Sequence, residues 1–161
     1  MIRVAVSGHR GLALDVAELI AQGVEAELER LAPSGAELVG LSCLADGADQ
    51  IFATAVLNRG GHIEVIVPAE KYRDGLPEDA KAQYDNLLSR ATAVHSRTHV
   101  ESTSEAHMDA SRFMVDSADH LIAVWDGEPA RAYGGTADVV QYAQDKRLPV
   151  SVVWPVGARR D

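Results

Sequence analysis

Three short segments hold most of the side chains whose types and spacing suit ligand chemistry. The first is Ser7-Gly8-His9-Arg10, a small turn followed by an imidazole and a guanidinium, which can grip a phosphate or carboxylate with two parallel hydrogen bonds. The second runs from Ser42 through Cys43 to Asp46-Gly47-Ala48-Asp49. One of its carboxylates can cap a helix, while the other can hold a ribose hydroxyl or position Arg10. The third begins at Asp126-Gly127 and ends in Gly134-Gly135-Thr136-Ala137-Asp138. There the paired glycines let backbone approach a ligand, Thr136 can cap the following helix, and the free N–H groups of its first turn favour an anion. Arg10 has a blander reading as the ion-pair partner of Asp46 or Asp126, and Asp138 as a charge that complements the helix dipole.

Each segment follows an apolar run. Ile2 to Val6, Leu38 to Leu41 and Leu121 to Trp125 read as strands buried on both faces, as in a parallel sheet. A fourth strand covers Ile63 to Val67 and ends at Pro68, and a last one covers Val150 to Trp154. Ala93-Val94-His95 is at best a short, weak strand. Helical spacing appears in Val16, Leu19, Ile20, Val24, Leu28 and Leu31, stopped by Pro33-Ser34-Gly35. It recurs from Ile51 to Gly60, from Glu78 to Arg90, from Ala106 to Ser117 and after Thr136, with residues 69–77 irregular. Strands alternating with helices predict an α/β fold: a single Rossmann-like, three-layer α/β/α domain with a mainly parallel sheet over residues 1–155, and a flexible tail over 156–161. The three polar segments then share the C-terminal edge of the sheet, where such folds bind ligands.

With 161 residues, 47% hydrophobic and 24% charged, the chain suits one soluble domain. A net charge of −9 argues against nucleic acid and acidic membranes as partners. No apolar run is long enough for a membrane span. Cys43 is the only cysteine, which predicts a reducing cytoplasm and a buried, inert thiol. The six histidines show no zinc spacing, so no metal and no cofactor is expected. The Gly-x-Gly-x-x-Gly dinucleotide fingerprint, the phosphate-binding P-loop and the Gly-x-Ser-x-Gly hydrolase elbow are all missing.

Val-Ser-Gly-His-Arg at 6–10, Gly-Leu-Ser-Cys-Leu-Ala-Asp-Gly-Ala-Asp at 40–49, and Val-Trp-Asp-Gly with Gly-Gly-Thr-Ala-Asp at 124–138 together resemble the SLOG superfamily. These are Rossmann-like domains related to the LOG (lysine-decarboxylase-like) proteins and to the DNA-processing protein A domain. The resemblance implies a site for a nucleotide or nucleotide-derived small molecule, in a sensor or ligand-binding domain, and a homodimer. Ser7, Gly8, His9, Arg10, Ser42, Asp46, Asp126, Gly127, Gly134, Gly135 and Thr136 would bind the ligand. Of these, Gly8, Arg10, Gly134, Gly135 and Thr136 would face phosphate, and Asp46 or Asp126 the ribose. The alternative is a LOG-like phosphoribohydrolase that cleaves the N-glycosidic bond of a nucleoside monophosphate, with Asp138 beside the ribose and Arg112 on the phosphate as catalytic residues. The chain departs from the LOG pattern at both: Asp138 comes two residues after the threonine rather than three, and Arg112 stands two residues short of its expected spacing.

Overall fold

The structure, a computed structural model, describes residues 1–33 and 37–160. Six strands, β1 (Ile2–Gly8), β2 (Leu38–Ser42), β3 (His62–Ala69), β4 (Ala93–His99), β5 (His120–Val124) and β6 (Val150–Val153), form one sheet in the order β4-β3-β2-β1-β5-β6. Every pairing is parallel. Five α-helices connect them: α1 (Leu14–Leu31), α2 (Ala48–Asn58), α3 (Glu78–Ser89), α4 (Ser104–Asp116) and α5 (Thr136–Asp145). The chain first winds outward from β1 to β4, then crosses back and winds the other way from β5 to β6. Helices α1 and α2 pack together, and α4 packs with α5. Right-handed crossovers in opposite directions place these two pairs on opposite faces. The expected three-layer α/β architecture is what the chain adopts.

β1, β2 and β5 are apolar in both parities because both their faces are covered: Val4, Ala5, Val6, Leu41, Leu121, Ile122 and Ala123 are all fully buried. Helix α1 turns Val16, Ile20, Val24 and Leu28 inward at four-residue spacing. Its stop signal can be followed only to Pro33, because Ser34 and Gly35 lie outside the described residues.

Some boundaries differ from the sequence expectation for identifiable reasons. β4 is a full seven-residue edge strand. Its alternation is hidden because the covered side chains are polar. His95 meets the Glu64 carboxylate at 2.9 Å, and Arg97 lies 4.7 Å over the Phe113 ring while bonding Asp109 at 3.0 Å. β3 runs on through Pro68, and the register shifts between Val67 and Ala69, the bulge at which a residue without an N–H is tolerated. Helix α2 starts three residues before Ile51, and its N-cap is Gly47, so neither Asp46 nor Asp49 is the N-cap. Gly47 sits at φ +86°, and an added Cβ there would lie 2.7 Å from the His9 carbonyl oxygen. That close approach lets the Ala48 N–H donate to the same carbonyl at 3.2 Å, which ties the start of α2 to the loop after β1.

Candidate functional site

The winding direction reverses between β1 and β5, and a cavity of about 350 Å3 opens at the C-terminal ends of these strands. This is the place where open α/β sheets bind ligands, and the volume falls in the ~300–1,000 Å3 range of small-molecule sites. Of the residues expected to bind ligand, Ser7, Gly8, His9, Arg10, Gly134, Gly135 and Thr136 line it. Ser42, Asp46, Asp126 and Gly127 do not, and neither do Asp138 and Arg112.

Each residue outside the cavity has a structural commitment. Ser42 is fully buried; its hydroxyl accepts from Leu44 N–H at 3.0 Å and donates to the Asp49 carbonyl at 3.2 Å. Asp46 bonds Arg10 Nε at 2.8 Å and Gly11 N–H at 2.9 Å, so it positions the guanidinium rather than meeting a ribose. The Asp126 carboxylate accepts from Glu128 N–H at 3.0 Å, while Gly127 sits exposed beside it. The Asp138 carboxylate accepts the Gly134 N–H at 2.9 Å and so shapes the glycine turn from below. The N-cap of α5 is Gly135, and Thr136 is the first helical residue, which corrects the expectation that the threonine hydroxyl caps this helix. The N–H groups of Thr136 and Ala137 have no acceptor among the described residues and stand at the cavity end of α5. Arg112 donates to the Tyr133 hydroxyl at 3.2 Å, steadying a rim residue.

His9 joins two of the loops. Its Nε2 accepts the Asp126 N–H at 3.0 Å, which requires the neutral imidazole with its proton on Nδ1. Burial first, then the Arg160 charge, lowers its pKa and favours that form. The Asp126 carboxylate also lies 3.2 Å from Nε2, but a nitrogen that accepts an N–H has no proton to donate to it. Edge-on contact with Trp154, at 5.4 Å between centroids, holds the ring.

Several lining residues were not singled out from the sequence as ligand contacts. Cys43 and Tyr72 are both buried, as is Asp49, one of the two carboxylates offered for a ribose hydroxyl, and Tyr72 comes from the irregular stretch before the 3-10 turn Arg73–Gly75. An aromatic side chain amid Glu70-Lys71 and Arg73-Asp74 was the available signal. His107, near the start of α4, has its Nε2 2.8 Å from the Ser102 hydroxyl. Arg131, Arg159 and Arg160 line the rim with Arg10. The last two lie in the stretch expected to be a flexible tail, and there Arg159 bonds Asp15 at 2.8 and 3.2 Å. Asp161 lies outside the described residues. The cavity therefore collects four arginines against one lining carboxylate in a chain whose net charge is −9.

No protein-family model matches the chain, and no curated protein matches it. Solved structures do. DNA processing protein A from Streptococcus pneumoniae superposes with a TM-score of 0.64 at 19% identity, covering 94% of this chain and 50% of that one. The Helicobacter pylori protein of the same name gives 0.69 at 14% identity over 98% and 67%. The molybdenum cofactor carrier protein from Chlamydomonas reinhardtii gives 0.57 at 15% identity over 94% and 75%. The chain shares the Rossmann-like fold of these structures. It spans half the length of the Streptococcus protein.

This likeness of fold overturns one expectation. Net charge argues against nucleic acid as a partner, yet the Helicobacter protein of the same fold has a described single-stranded DNA binding mode. Total charge is a poor guide because the field at a site depends on the charges nearest to it, and here these are the arginines of the rim. No helix among the described residues is long and apolar enough to cross a membrane.

Proposed function

We propose that this chain is a ligand-binding or sensing domain that takes a nucleotide or nucleotide-derived small molecule into the cavity at the β1/β5 switch point. The carrying observation is convergence. The Gly8–Arg10 turn, Thr136 with its unpartnered N–H at the start of α5 and a rim of arginines all meet one cavity of nucleotide-compatible size. In this reading the phosphate lies on the Thr136 and Ala137 amides beside Arg10, where the helix dipole and the guanidinium both favour negative charge. Asp46 keeps Arg10 in place. Asp138 and Arg112, which would carry N-glycosidic cleavage, are committed to Gly134 and Tyr133, so binding without hydrolysis is the reading we carry.

A thermal-shift screen with nucleoside mono-, di- and triphosphates, cyclic nucleotides and ADP-ribose derivatives tests this. A ligand at 100 times its dissociation constant adds roughly 2.7 kcal/mol. If none of these compounds moves the midpoint, the reading fails. Within it, Arg10→Ala is expected to weaken phosphate-bearing ligands by about 1.5–3 kcal/mol, roughly tenfold or more. Stability should change little, because a half-exposed ion pair contributes about 0–1 kcal/mol. Equal affinities by calorimetry would reduce Arg10 to a surface partner of Asp46.

The rim arginines and the single-stranded DNA binding described for the Helicobacter protein favour a second reading, in which the cavity takes one nucleotide of a single strand. Fluorescence anisotropy with a labelled oligothymidylate separates the two. Tight binding that falls steeply with added salt supports the strand, and saturation by mononucleotides alone supports the small molecule. The single buried thiol fits a reducing cytoplasm, and light scattering would report whether the chain forms the homodimer its resemblance implies.

A further inference from the structure

The inner wall of the cavity differs from its rim. Arg10 and Arg159 keep 45% and 55% of their side chains exposed, whereas Asp49, Tyr72, Cys43 and Met114 are each at most 8% exposed. The inner wall is thus formed by buried side chains, with Tyr72, Cys43, Ala45 and Met114 beside Asp49 and His107 edge-on to Tyr72 at 5.6 Å. Two polar atoms there lack partners. The Tyr72 hydroxyl makes no hydrogen bond among the described residues. The Asp49 carboxylate uses only Oδ2, on the Ala45 N–H at 3.3 Å, which leaves Oδ1 without a donor. No sealed side-chain polar atom among the described residues lacks a partner, so both atoms retain accessible surface, and the cavity is the space their residues line.

Resting on the nucleotide reading of this cavity, we propose that the inner wall recognises the base, with Asp49 and Tyr72 selecting a guanine-type edge. Burial raises the Asp49 pKa to about 7, so above neutral pH this carboxylate is ionised and only accepts hydrogen bonds, and the ligand edge that meets it must then donate. Guanine presents a ring N–H beside an exocyclic amine. Adenine and cytosine put a ring acceptor beside the amine, where it faces the carboxylate lone pairs. Uracil and thymine offer one N–H between two carbonyls. The Tyr72 hydroxyl can donate to the carbonyl oxygen on the same edge of guanine. The Tyr72 ring and the Met114 side chain suit a flat heterocycle, and the Arg10 side leaves the phosphate at the rim.

Calorimetry above the Asp49 pKa, at about pH 8, with the full chain and four probes tests the assignment: guanosine, inosine and adenosine 5′-monophosphates and ribose 5-phosphate. The guanosine compound is expected to bind at least about tenfold more tightly than the adenosine compound, with inosine, which lacks the amine, between them. Asp49→Asn should lose about tenfold or more for guanosine monophosphate and leave ribose 5-phosphate unchanged, and Tyr72→Phe should show a smaller loss of the same kind. The three-base comparison needs no variant, so it holds even if a substitution unfolds the chain. Equal binding of the three bases, or an Asp49→Asn variant that keeps its guanosine affinity, overturns base selection while leaving the phosphate site standing. Failure of all four probes overturns the nucleotide reading and this proposal with it.

Discussion

Asp49→Asn is expected to make the protein more stable above neutral pH, by roughly 2–4 kcal/mol relative to its effect in acid. Burial of this carboxyl pushes its pKa from 3.8 up to about 7, with the nearby Asp46 charge adding to the rise and the Ala45 N–H and Arg10 opposing it. The folded state therefore holds a proton that the unfolded chain has already released. This contribution is fully present below the unfolded value near pH 4 and is lost as pH rises to about 7. Three units correspond to about 4 kcal/mol at most. Asn keeps an acceptor for the Ala45 N–H and carries no charge, so the variant lacks this slope. Urea unfolding of both proteins at about pH 4.5 and about pH 8 reads the difference directly. A stability difference that does not change between the two pH values would mean that Asp49 ionises in the folded state as readily as in the unfolded chain.

Gly47→Ala is expected to destabilise the domain by about 3 kcal/mol or more, and the reason can be isolated by a second variant. The position has φ +86°, which costs an L residue about 1–3 kcal/mol. Its Cβ would in addition stand 2.7 Å from the His9 carbonyl oxygen and 3.1 Å from the Arg10 Cα, both backbone atoms with little room to move. The loop after β1 and the start of α2 would have to separate, breaking the Ala48-to-His9 hydrogen bond. Gly127 has nearly the same φ, +84°, with nothing within 4 Å of its added Cβ. Gly127→Ala should therefore cost only the strain of its own backbone, with no clash, and less than Gly47→Ala. Equal losses in denaturant melts would count against the close approach at Gly47 as the source of the larger cost.

The legible parts of this chain were those set by local pattern. Strands apolar in both parities announced a parallel sheet covered on both faces, and the four-residue spacing of Val16, Ile20, Val24 and Leu28 announced α1. The glycine-bearing segments after β1 and β5 marked the cavity edge. β4 was hard to read because its covered positions are His95, Arg97 and His99, which are satisfied by Glu64, Phe113 and Asp109 from elsewhere in the fold. No one-dimensional hydrophobicity pattern contains those partners.

The sequence by itself determined the alternation of strands and helices, the both-sided burial of the central strands and the polar loops that follow β1, β2 and β5, because propensity and periodicity act over a few neighbouring residues. Only the tertiary structure decided which polar side chains face the cavity. Asp46 and Asp49 stand three residues apart, one in the loop before α2 and one in the first turn of that helix. One reaches out to clamp Arg10, and the other turns in beside Tyr72, because Gly47 bends the chain tightly against His9 between them. Arg159 and Arg160, at the far end of the chain, join Arg10 at the same rim because β6 lies next to β5 in the sheet. Hydrogen-bond commitments and proximity across more than a hundred residues depend on how the strands are ordered, and that order forms only when the whole sheet assembles.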